Sequence, residues 1–160
     1  AEIYSKNLEK FFFNKEKLRH TILKSDVFLE DYAYSIAMFL DLYDQTLKPD
    51  YLFNAKRLCK ETIEHFYIKE KSIFQKNIVA TNDLFHQPID ISDGNIPNGN
   101  SVMLLNFSRL RMKNEAEELS NSLNGYLNVY KLLMASALKS IDHFNIVNSH
   151  KNCTEEGCEI

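Results

Sequence analysis

The chain has 160 residues, 44% of them hydrophobic and 26% charged, which is one domain's length with enough apolar material for a core. A formal net charge of −3, with Lys and Arg scattered among acids, gives no electrostatic case for a nucleic-acid partner. No apolar run approaches the ~20 residues of a membrane span, so no membrane partner is expected.

Four Gly, three Pro and long apolar-periodic runs predict a mostly helical chain. Ala1 is not an initiator Met, and residues 2–13 already carry Ile3, Tyr4, Leu8, Phe11 and Phe12 at helical spacing. The chain therefore reads as an excised domain or a fragment, without a signal peptide. Residues 14–17 read as a polar link, residues 18–23 as a short strand or an extended segment and Ser25-Asp26 as a turn.

Glu30 and Asp31 sit in the first turn of the next helix, where the helix dipole favours acids. Along that helix Tyr32, Ile36, Phe39, Tyr43 and Leu47 repeat at steps of three or four. Lys48-Pro49-Asp50 ends it, and a second helix follows with Leu52, Ala55, Cys59, Ile63 and Phe66 on one face. Two amphipathic helices across so short a link make an antiparallel αα-hairpin.

Residues 68–92 lose the helical period, with a short strand expected near Ile73 and a long loop through His86. The loop leads to Asp93-Gly94-Asn95-Ile96-Pro97-Asn98-Gly99-Asn100-Ser101, which holds two of the four glycines and one of the three prolines. That density of turn formers reads as a tightly wound corner, with Asn100 or Ser101 capping the helix that follows. Helices over residues 102–112 and 115–127, the second with Ala116, Leu119, Leu123 and Tyr126 inward, repeat the hairpin pattern. Recurring αα-hairpins mark helical solenoids and toroids. A short helix over 132–138, a minor strand at Phe144–Val147 and a polar tail close the chain.

Cys59 lies on an apolar helix face and reads as a core residue. Cys153 and Cys158 can form a disulfide, half a metal site or two free thiols, and nothing indicates an oxidising compartment, so a cytoplasmic protein is expected. His150, Cys153 and Cys158 offer three irregularly spaced ligands against the four of a closed zinc site. No metal or other cofactor is expected.

Leu29-Glu30-Asp31-Tyr32-Ala33, Leu40-Asp41-Leu42-Tyr43 and Asp93-Gly94-x-x-Pro97-x-x-Asn100-Ser101 occur in that order, followed by the Cys153-x4-Cys158 pair. The set resembles the C-terminal portion of thioredoxin-domain-containing proteins of the spermatogenesis-associated protein 20 type, from about Phe28 to Cys158. The resemblance implies an all-α single domain over residues 1–160, forming the last hairpins of an (α/α)6 toroid. Such a toroid is similar to six-hairpin glycosidases and N-acylglucosamine 2-epimerases. It also implies an N-terminal thioredoxin-like domain and early hairpins outside this chain, which would be its partners.

In a helical toroid the loops at one end of the inner helices line a central cleft. Asp31 and Asp93 are then candidate acid–base carboxylates, with His86 as the candidate proton-moving histidine. Tyr32, Asn95, Asn98 and Asn100 are candidate contacts to a carbohydrate substrate. Each has a structural alternative: Asp31 complements a dipole, Tyr32 packs, Asp93 ties the turn through backbone N–H groups, and Asn100 caps a helix. The resemblance thus implies a carbohydrate-active module of epimerase or glycosidase type. The alternative is a non-catalytic interaction module beside a redox domain, and self-association through uncovered hairpin faces is expected in either case.

Overall fold

The structure, a computed structural model, describes residues 10, 13–14, 17–21, 27–77, 89–149, 153–154 and 157–158. Helix α1 (Leu29–Thr46) buries Leu29, Tyr32, Ala33, Ile36, Phe39 and Leu40, and α2 (Pro49–Phe66) meets it with Tyr51, Ala55, Leu58, Cys59 and Phe66. Ring contacts fasten the pair: Tyr32 lies edge-on to Phe66 at 5.5 Å, and Phe39 stacks on Tyr51 at 6.2 Å. The link needs only two residues. Leu47 turns left-handed (φ 55°) and donates its N–H to the Tyr43 carbonyl at 2.7 Å. Lys48 is extended, as the residue before a proline prefers, and Pro49 opens α2 at a position that needs no N–H donor. Leu47 consequently leaves the apolar stripe in which its spacing put it and stands 72% exposed.

Among the described residues three short antiparallel strand pairs accompany the helices: β1 (Phe13–Asn14) with β2 (Lys17–Leu18), β3 (Tyr67–Ile68) with β4 (Ile73–Phe74), and β5 (Cys153–Thr154) with β6 (Gly157–Cys158). Of the polar link expected at residues 14–17, Asn14 and Lys17 are paired across β1 and β2, and residues 15–16 lie outside the described residues. In the last pair, Cys153 and Cys158 are backbone partners. The helix expected over 2–13 falls largely outside the described residues, and Phe13 belongs to β1.

Helix α3 (Gly99–Leu110) and α4 (Lys113–Tyr130) form the second hairpin, joined through Arg111 at φ 59°. A 3₁₀ turn at Lys131–Leu133 leads into α5 (Ala135–Ser149). Helix α3 is the centre of the molecule, packing on α1, α4 and α5, and its residues 99–104 are all buried. The fold is all-α, with five helices among the described residues.

Two expectations are corrected here. Phe144–Val147 is not a strand but the last part of α5, and residues 132–138 divide between the 3₁₀ turn and α5. Ala137, Ser140, Ile141 and Phe144 are the buried positions, which is helical spacing, and this tertiary pattern outweighs the strand propensity of Phe, Ile and Val. No helix among the described residues is long and apolar enough to cross a membrane.

Gly99 fixes how closely α3 approaches α1. A Cβ there would stand 2.7 Å from Leu29 Cγ and 2.8 Å from Cδ2, and Leu29 is only 1% exposed, with no room to retreat. Close approach, not turn conformation, is the reason for this glycine. Gly99→Ala is expected to destabilise the fold by about 1–3 kcal/mol, measured by denaturant unfolding; an unchanged midpoint would show that Leu29 repacks freely.

Candidate functional site

The site is built at the N-terminal ends of α1 and α3. Asn98 is the N-cap of α3, its Oδ1 accepting the Ser101 N–H at 3.0 Å. This corrects the expected cap at Asn100 or Ser101, both of which lie inside the helix. Asp93 then braces the cap: its Oδ1 accepts the Asn98 backbone N–H at 3.1 Å and the Asn98 Nδ2–H at 3.0 Å. The same carboxylate accepts the Ser136 N–H at 2.7 Å through Oδ2 and the Ser136 hydroxyl through Oδ1. Ser136 lies in the first turn of α5, so one carboxylate serves the starts of two helices. Partial burial pushes the Asp93 carboxyl up, but the hydrogen bonds from Ser136 and Asn98 outweigh it and hold the group below its ordinary value of 3.8.

Asn100 is fully buried and acts as a side-chain strand. Its Oδ1 accepts the Phe74 N–H at 2.9 Å, and its Nδ2 donates to the Phe74 and Asp90 carbonyls at 3.1 Å each. β4 is thereby fastened to α3.

Next to this framework lies an open depression of about 380 Å³ lined by Arg19, His20, Glu30, Asp31, Tyr34 and Ile96, among others. His20 Nδ1 stands 2.9 Å from both Asp31 oxygens, and Asp31 Oδ2 also accepts the Phe28 N–H at 2.9 Å. The Asp31 side chain is 20% exposed and that of His20 46%, so the pair is fixed at its base and open to solvent at its tip. The His20 ring is further held edge-on to Phe28 at 4.9 Å. A neutral ring that donates Nδ1–H to this carboxylate is held in one tautomer, with the lone pair on Nε2. Tyr34, one turn along α1 from Asp31, also lines the depression and donates its hydroxyl to the Pro97 carbonyl at 2.9 Å, joining the depression to the Asp93 loop. Burial, then the charges of Asp93 and Glu30, raise the Tyr34 hydroxyl above its ordinary value, so it stays a neutral donor.

Of the residues singled out from sequence, Asp31 lines the depression, whereas Tyr32 faces α2, 4% exposed. Burial and then the Glu61 carboxylate push the Tyr32 hydroxyl up to about 12. Asp93, Asn98 and Asn100 form the framework behind the depression, Asn95 is exposed on the loop, and His86 lies outside the described residues. Asp31 thus lines this depression, and Asp93 is not among its lining residues. His20 and Arg19 were missed because no periodicity or motif links them to a carboxylate eleven residues away. Cys59 is buried, and burial followed by the charge of Glu115 pushes its thiol up to about 12, which makes it a poor nucleophile. Among the described residues no three His, Cys, Asp or Glu side chains are grouped to hold a metal ion.

No protein-family model matches the chain, and no curated protein matches it either.

The Asp93 tie has an acid signature. A carboxyl held below its ordinary value contributes stability above about pH 4, and this contribution is lost as the pH falls through the folded value. Asp93→Asn is expected to cost about 1–2 kcal/mol at neutral pH, with the difference from wild type shrinking below about pH 4. Urea unfolding across that range checks it, and a constant difference would contradict the charged tie.

Proposed function

We propose that the chain is the cleft-bearing C-terminal part of a carbohydrate-active (α/α)6 toroid, of the kind its resemblance implies, with His20 and Asp31 as the proton-transfer pair. In this reading a thioredoxin-like domain and earlier hairpins precede the chain, and the whole protein is cytoplasmic. The observation that carries it is the His20–Asp31 pair at 2.9 Å, seated in an open depression of about 380 Å³, a volume within the range of small-molecule sites. Arg19, Glu30 and Tyr34 supply charged and hydroxyl groups around it, the donor and acceptor set that a sugar's hydroxyls require.

The same geometry favours proton transfer of the epimerase type over glycoside hydrolysis. Hydrolysis of that bond uses two carboxylates flanking one substrate. Asp93 is committed to Asn98 and Ser136, and Asp31, although it lines the depression together with Glu30, is engaged by His20 and the Phe28 N–H. A histidine oriented by a carboxylate needs no such pair. In this reading it takes a proton at Nε2 while Asp31 holds the ring at Nδ1.

The second reading, a non-catalytic interaction module, is favoured by an apolar surface at the joint between α4 and α5. Val129 is 72% exposed, Leu132 96%, Leu133 55% and Leu138 60%, an arrangement suited to packing against another domain or a second copy.

A sugar-library binding screen on the full-length protein separates the two, with His20→Gln and Asp31→Asn as variants. The expected result is a sugar that binds wild type and loses at least about tenfold in affinity in both variants, with unchanged melting of His20→Gln. No binder, or a binder indifferent to both changes, would overturn the carbohydrate reading and leave the interaction module.

A further inference from the structure

At the opposite end of α3 from the cleft, its last turn, the start of α4 and the second half of α5 enclose another pocket, of about 410 Å³. Its floor is apolar: Phe107 and Ala116 are fully buried, Phe144 is 8% exposed, and Met112 and Val147 complete it. Its rim is basic. Arg109, Arg111, Lys113 and His143 all line it, and no Asp or Glu does, in a chain whose net charge is −3.

The acids near the rim are Asp41, Asp44, Glu115, Glu117 and Asp142; Glu117, one turn beyond Lys113 on α4, is exposed and makes no ion pair with it. Asp41 and Asp44 hold Arg109 at 2.8 and 2.7 Å, which turns that guanidinium into a neutralised wall. Glu115, the acid in the first turn of α4, acts on Cys59 and Tyr67, on the side facing α2 and β3. Asp142 is exposed and lies outside the lining. Arg111 and Lys113 have no carboxylate partner among the described residues. Arg111 is also a non-glycine residue at φ 59°, where a side chain is disfavoured and glycine is common. Its N–H bonds back to α3, fixing the backbone from which the guanidinium springs.

We propose that this pocket binds a small organic anion, a carboxylate or phosphate head on an apolar body. The head is held by Arg111, Lys113 and His143, and the body lies on Phe107, Phe144 and Val147. An isolated cation pair on a flat surface would hold a bare anion weakly in water. An adjoining apolar floor adds affinity only for a ligand that carries both parts. The inference is independent of the carbohydrate reading, since the two pockets share no residue.

The test is a two-dimensional amide NMR titration of the full chain with phenyl phosphate, inorganic phosphate and phenol. Phenyl phosphate is expected to give saturable shifts at residues 108–113 and 143–148, and to bind more tightly than either half alone. The double variant Arg111→Gln/Lys113→Gln is expected to weaken it by at least about tenfold. If that variant melts lower than wild type, Lys113→Gln alone, at an exposed first-turn position, carries the test with an expected loss of about threefold. Shifts confined to the exposed apolar surface near Leu132, equal binding of either half, or unchanged affinity in the variants would each overturn the proposal.

Discussion

The Asp93 carboxylate is the interaction on which the rest of this structure depends. Helix starts leave backbone N–H groups without partners, and two such starts, those of α3 and α5, converge on this one side chain. Through Asn98 the carboxylate fixes the cap of α3, and through Ser136 it fixes the first turn of α5. Because α3 packs on α1, α4 and α5, an error in its starting position would be passed to every other contact it makes. Gly99 and Asn100, the next two residues, complete the anchorage. One allows α3 to touch Leu29, and the other binds β4.

This arrangement divides the polar residues into two groups. Asp93, Asn98 and Asn100 spend their hydrogen-bonding capacity inside the fold, where they satisfy groups that would otherwise be buried unpaired. His20, Asp31, Glu30 and Tyr34 face an open volume, and only some of their capacity is used. Chemistry, in the proposed reading, falls to the second group. The first group matters to it by rigidity: the Tyr34 hydroxyl rests on the Pro97 carbonyl, so the rim of the cleft is tied to the loop that Asp93 holds.

Much of the helical framework was legible in the chain. Tyr32, Ile36 and Phe39 kept the period that buries them, and Pro49 marked a link whose chemistry is local. The alternative role of Asp93, bonding the backbone of its own turn, was also readable from residue type. Other features were not. Asn98, Asn100 and Ser101 are all competent caps, and which one serves depends on where β4 and α5 dock, information that no short window contains. Phe144–Val147 has the composition of a strand, and its helical state rests on a partner face supplied by α3. The His20–Asp31 pair was the least accessible, because its two halves meet only after the chain before α1 has folded back onto the helix start.

In the proposed reading Asp93 is structural while His20, oriented by Asp31, is the reactive group. The most direct measurement is the ring tautomer of His20, read from its two nitrogen-15 shifts in wild type and in Asp31→Asn. Nδ1 is expected to be protonated and Nε2 bare in the neutral ring of wild type, with that preference lost when the carboxylate becomes an amide. A neutral ring protonated at Nε2, or the same shifts in both proteins, would contradict it.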